Sequence, residues 1–168
     1  DDAVSEYKEA LRLDPNSAMA YQLLGIASGW KGDVSQAQEY FLKANLLDPN
    51  KADTHMNLGS TYAVQRKPDK ALEHFRRSAE LAPREPLYHY QLGTLYEALG
   101  RDEQAEASFK KALRLFSAYE DAQLSLGAIY EKLNRPEDAL KYYKKAVKTK
   151  PGDHVARLRY AVLLVRQG

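Results

Sequence analysis

The stretch Asn57–Pro83, NLGSTYAVQRKPDKALEHFRRSAELAP, decides the fold. Leu58 and Tyr62 stand four apart, the spacing of one helix face. "RKPD" then interrupts the pattern, and Pro68 suits the first position of a new helix, where its missing N–H costs nothing. Beyond it Ala71, Phe75 and Ser78 share a face, and "AP" at 82–83 ends the run. The spacing predicts two helices, residues 53–65 and 69–81, joined by a tight turn.

Outward from this stretch the same columns return. Gly25, Gly59, Gly93 and Gly127 are each 34 residues apart, and Leu24, Leu58, Leu92 and Leu126 precede them. Ala3, Ala37, Ala71, Ala105 and Ala139 keep the period, as do Tyr7, Phe41, Phe75, Phe109 and Tyr143. Pro15, Pro49, Pro83 and Pro151 form a fifth column, with Ser117 once replacing the proline. Five columns in one register define an internal repeat of helix pairs. A pair of this size cannot bury its apolar face alone, so neighbours must stack into a solenoid.

The register divides the chain, read as a single domain over 1–168. Residues 1–17 supply the second helix of a partial repeat. Residues 18–51, 52–85, 86–119 and 120–153 are four full repeats, and 154–168 supply the first helix of a further one. Ten helices are expected. The opening Asp1-Asp2-Ala3 lacks an initiator methionine, and the last helix, "HVARLRYAVLLVRQG", is apolar on several faces. Both features lead us to expect a fragment of a longer array, or one whose open ends associate.

The period, together with "NLGSTY", "QLGTLY" and "SLGAIY", resembles the tetratricopeptide repeat over essentially the whole chain. The resemblance implies an all-α, right-handed superhelical solenoid of antiparallel helix pairs. Its glycine and alanine columns let the two helices of a repeat approach closely, while the Tyr and Phe columns fill the space between repeats.

Composition narrows the function. The chain has 168 residues, 25 Lys and Arg against 23 Asp and Glu, and a net charge of +2. So small a surplus does not point to nucleic acid. No apolar run approaches the roughly 20 residues of a membrane span. With no cysteine, disulfide and thiolate chemistry are excluded, and both the cytoplasm and the periplasm stay open.

A catalytic or metal centre needs clustered ligands or nucleophiles. His55 and His89 occupy one column and read as aromatic packing between helices. His74 and His154 have no ligand partner at i+4. There is no phosphate-cradling loop and no nucleophile elbow. No enzyme activity and no cofactor are expected. A basic ladder runs through Lys43, Arg77, Lys111 and Lys145, with Lys110 beside it. Glu39, Glu73 and Glu106 stand four before Lys43, Arg77 and Lys110, pairs that stabilise an exposed helix by roughly 0.2–0.5 kcal/mol each. "KYYKKAVKTK", 141–150, is less balanced and suits an acidic partner.

In the resembled family the first helix of each repeat lines the concave surface, where ligands usually lie. The candidate groove is Met19, Leu23, Ile26, Trp30, Met56, Asn57, Tyr90, Gln91, Leu124, Lys132 and Arg159. Only Asn57 matches the family's carboxylate clamp, whose later basic positions hold Leu87 and Gln91, so a clamped chaperone tail is not expected. The lining is apolar near Trp30 and turns basic toward Lys132, Arg159 and Arg166. It implies a protein-interaction scaffold for an apolar or amphipathic peptide, with an acidic end as an option. The alternative is a self-assembling or regulatory segment of a larger protein, such as a bacterial envelope or polysaccharide-export machine.

Trp30 is the candidate contact. It continues the stripe Met19, Leu23, Ile26, Trp30, away from the core column, which passes through Ser28 in this repeat.

Overall fold

The computed structural model describes residues 2–167, which form ten α-helices and no strand. They are α1 (Asp2–Leu13), α2 (Ala18–Trp30), α3 (Val34–Leu47), α4 (Ala52–Val64), α5 (Pro68–Leu81), α6 (Pro86–Ala98), α7 (Asp102–Leu115), α8 (Glu120–Lys132), α9 (Pro136–Thr149) and α10 (His154–Gln167). The helix pair predicted at 53–65 and 69–81 is α4 and α5, each beginning one residue earlier. The chain folds as two compact units, Asp1–Pro83 and Arg84–Gly168. In the first, consecutive helices from α1 to α5 pack on one another; in the second, consecutive helices from α6 to α10 do the same.

Local chemistry starts and stops these helices. Ser17 Oγ accepts from the Ala20 N–H, Asp33 Oδ1 from the Gln36 N–H and Asp153 Oδ1 from the Ala156 N–H. Each satisfies one of the donors a helix start leaves open. Pro68, Pro86 and Pro136 open α5, α6 and α9, where a proline needs no N–H.

The turn inside each helix pair is the same device four times. Gly32, Arg66, Gly100 and Asn134 all have positive φ, from 54° to 81°. The next residue's N–H donates back to a carbonyl in the last turn: Asp33 to Ser28, Lys67 to Tyr62, Arg101 to Tyr96 and Arg135 to Tyr130. That is a Schellman closure, which needs one left-handed residue.

The core is the alanine column and the aromatic column. Ala37, Ala71, Ala105 and Ala139 are fully buried, with Phe41, Phe75, Phe109 and Tyr143 beside them. A Cβ added to Gly25, Gly59, Gly93 or Gly127 would lie 2.5–2.7 Å from a ring carbon of Phe41, Phe75, Phe109 or Tyr143 respectively. Burying such a ring contributes roughly 1.5–3 kcal/mol, and the glycine is what makes room for it. This corrects one expectation. These rings fill the space inside each helix pair, not between repeats. It is Tyr130 that reaches between repeats, its hydroxyl donating to Glu106 of α7 at 3.0 Å. In α1, Ala3 is exposed and Tyr7 half-buried; α1 packs mainly on α2.

Candidate functional site

The apolar part of the candidate groove lies in the first compact unit. Ile26, Gly29 and Trp30 of α2 face Asn57, Ser60 and Val64 of α4 across a cleft of about 250 Å³. Trp30 is 87% exposed and Val64 also stands in solvent. The floor is supplied by α3, through Val34, Ala37 and Phe41. It can be reached because Gly25 and Gly29, one turn apart on α2, put no side chain in the way.

The two glycines differ in cause. Gly25 is required by Phe41, whereas a Cβ on Gly29 would meet nothing within 4 Å. Glycine inside a helix costs roughly 0.5–1 kcal/mol relative to alanine, and packing within the chain gives no return for it at Gly29. The equivalent positions hold Ala63, Glu97 and Glu131. The α3 floor lies outside the groove positions expected from sequence, although glycines at i and i+4 are its signal.

Met19, Leu23 and Met56 do not line this cleft. Met19 is 57% exposed and its sulfur accepts weakly from Lys51. Leu23 and Met56 are half-buried, and Met56 Sδ accepts from Ser60 Oγ at 3.8 Å.

The remaining candidates belong to the second unit. Tyr90 packs inside it, its ring 4.9 Å from Tyr119 and 5.7 Å from Phe109. Burial against this cluster pushes the Tyr119 phenol up to about 12. Gln91 and Leu124 are half-buried. Lys132 pairs with Asp102 at 3.1 Å, and Arg159 and Arg166 share Glu131 at 3.5 and 4.0 Å. The basic end expected from sequence is partly countered: two carboxylates, Asp102 and Glu131, face these three cations. Spacing along one helix cannot disclose partners on another.

The ladder is also partnered differently from its i,i+4 pattern. Lys110 does pair with Glu106 at 2.5 Å. Arg77 turns to Glu80 and to Asn50, and the Lys43 ammonium sits over the Tyr21 ring. Exposed pairs of this kind contribute about 0–1 kcal/mol.

Histidine departs furthest from the sequence pattern. His74 has no partner along its own helix, yet its Nδ1 lies 3.0 Å from His55 Nδ1. His55 Nε2 lies 3.0 Å from the Pro49 carbonyl, which can only accept. Nε2 therefore carries the proton of neutral His55, and His74 Nδ1–H donates to the bare His55 Nδ1. Burial first, and the neighbouring His55 second, push the His74 pKa down. Positions 55 and 74 meet only through pairing of α4 with α5, so no spacing rule along one helix finds them. Among the described residues no group of three His, Cys, Asp or Glu gathers to hold a metal ion. No described helix is long and apolar enough to cross a membrane.

Profiles of the tetratricopeptide repeat match residues 18–51, 50–118 and 85–151. No curated protein sequence matches the chain. The crystal structure of MamA is similar, at 26% identity and TM-score 0.81 over 88% of this chain and 86% of that one. YrrB, described as a tetratricopeptide protein with an unusual peptide-binding site, shares 26% identity at TM-score 0.76, covering 92% and 79%. TTC0263, a tetratricopeptide protein of Thermus thermophilus, shares 27% at TM-score 0.76, covering 96% and 89%.

Proposed function

Because the chain belongs to the tetratricopeptide repeat family, an all-α solenoid of protein-interaction scaffolds, we propose that it is a non-catalytic adaptor whose α2–α4 cleft takes an apolar or amphipathic peptide. The observation that carries this reading is Trp30, 87% exposed at the rim of an apolar cleft. Soluble chains leave few large aromatic rings in water, and tryptophan is enriched among residues that dominate binding energy. Gly29 supports it, since a bare helix backbone beside the indole lets a ligand approach closely. Asn57 and Ser60 add polar groups that fix orientation within an apolar lining. The peptide-binding site of YrrB lends the reading precedent in a similar fold.

Of the other groove candidates, Met19, Leu23 and Met56 extend the apolar surface along α2 and α4. Gln91 and Leu124 belong to the second unit and lie outside this cleft. Tyr90 supports its own core, and Lys132 and Arg159 are ion-paired within the second unit.

Selection of a displayed random peptide library on the intact chain tests the proposal. Selected peptides should carry apolar residues at helical spacing and lose at least about tenfold in affinity for a Trp30→Ala chain, as a hot-spot truncation does. Peptides that bind both chains equally would sink the assignment.

A further inference from the structure

A second cleft, of about 330 Å³, lies within the second compact unit between α7, α8 and α9. Lys110, Arg114 and Lys145 surround it, and Tyr142, Gln123 and Ser117 contribute to its walls. Nothing in the proposed function uses it.

Two independent features point to a ligand. The first is charge. Lys110 is held by Glu106, but Arg114 and Lys145 have no carboxylate within ion-pair distance among the described residues. Lys145 instead sits 4.9 Å over the Tyr142 ring. Lys141, Lys144 and Lys148 of the same helix also lack such a partner among the described residues. The excess positive charge of the "KYYKKAVKTK" segment therefore remains largely uncountered beside this cleft.

The second feature is an orphaned acceptor. Gln123 is 97% buried, at 3% exposure. Its Nε2 donates to the Ser117 carbonyl at 2.6 Å, so the other end of the amide must be the oxygen. That Oε1 is buried and accepts no hydrogen bond. The repeat explains the gap. His55 occupies the same position two repeats earlier and likewise reaches back to the Pro49 carbonyl, while His74 satisfies its other nitrogen. The counterpart of His74 is Tyr142, which stacks on Tyr130 at 5.6 Å. In this repeat the chain does not supply the donor that its second repeat does.

A ligand matching both features carries carboxylates for the cations and an N–H for the amide oxygen, with some apolar surface for Tyr142. A backbone amide flanked by acidic side chains offers all three. A fully ionised phosphate offers no donor, and a net charge of +2 is weak for a polyanion such as RNA. We propose that this cleft binds an acidic peptide segment of a partner protein. Its carboxylates meet Arg114 and Lys145, and a backbone N–H reaches Gln123 Oε1.

The test titrates acetyl-Glu-Glu-Leu-Glu-Glu-amide into the isotope-labelled intact chain and follows amide resonances. The expected result is saturable binding that shifts the Gln123 side-chain amide. Replacing Arg114→Ala and Lys145→Ala together, both exposed, should weaken binding about tenfold or more while leaving the helical signal unchanged. The neutral peptide acetyl-Gln-Gln-Leu-Gln-Gln-amide should not bind. Absent saturation, or shifts spread evenly over all exposed lysines, would overturn the proposal. So would tighter binding of inorganic phosphate or oligouridylate that displaces the peptide. Trp30→Ala should leave this titration untouched, so failure here is distinguishable from failure of the α2–α4 reading.

Discussion

The ring of Phe75 occupies the space that a side chain on Gly59 would need. A Cβ built on Gly59 stands 2.5 Å from Phe75 Cδ1, well inside the ordinary carbon–carbon contact near 3.5–4.0 Å. The ring is 3% exposed and cannot swing into solvent. Gly59 therefore serves the core, and the same relation holds for Gly25, Gly93 and Gly127 with their own rings.

Gly59→Ala should destabilise the chain by about 1–3 kcal/mol, the usual cost of forcing extra volume into a packed core. Gly29→Ala should do the reverse. Its Cβ meets nothing within 4 Å, so alanine gains roughly 0.5–1 kcal/mol of helix propensity. Urea unfolding of the two variants measures both. Equal effects would mean that the two glycines have the same cause.

Much of the fold could be read from the sequence because its determinants repeat at one period. Leu58, Gly59, Phe75 and Ala71 announce a helix pair, and four copies leave little room for another assignment. The exposure of Trp30 was legible for a related reason: it continues a stripe that the core column at Ser28 does not use. What escaped was set by contacts between helices. His55 and His74 meet across α4 and α5, Lys132 finds Asp102 on α7, and Val34 reaches the cleft floor past two missing side chains. None of these follows from spacing along a single helix.

Arg66 sits at φ 58°, where the equivalent turns use Gly32 and Gly100. The left-handed conformation costs an L-residue roughly 1–2 kcal/mol. Glycine gives back about 0.5–1 kcal/mol through its freer unfolded chain. Arg66→Gly should therefore stabilise by about 0.5–1 kcal/mol. Asn134→Gly should gain less, because asparagine tolerates this region. Paired thermal or urea unfolding curves decide it, and a loss of stability in Arg66→Gly would show that the arginine side chain has another task.

The His55–His74 pair makes stability depend on pH. The folded-state pKa of His74 is lowered by burial and by His55, so as pH falls the unfolded chain takes up this proton first. Stability is full above the ordinary histidine pKa of about 6.5 and falls as pH drops below it. His74→Tyr, which places the residue found at Tyr40 and Tyr142, should flatten the change between about pH 7 and pH 5. Denaturation midpoints of the two chains across that range measure it. Identical slopes would leave His74 with no part in the dependence.

Trp30 is the chain's single tryptophan, so intrinsic indole fluorescence reports on one site. At 87% exposure the emission of the free protein should be that of a solvated indole, readily quenched by iodide or acrylamide. A peptide seated in the α2–α4 cleft would remove water from the ring, shifting emission to the blue and protecting it from quencher. Trp30→Ala should change the unfolding free energy by no more than about 0.5 kcal/mol, as expected for a surface position. A loss of several kcal/mol would instead mark a buried ring and the collapse of a cavity. The two measurements are independent, since one asks what surrounds the indole and the other what the indole supports. An exposed ring that supports nothing, yet becomes shielded when peptide is added, is the combination that the cleft requires.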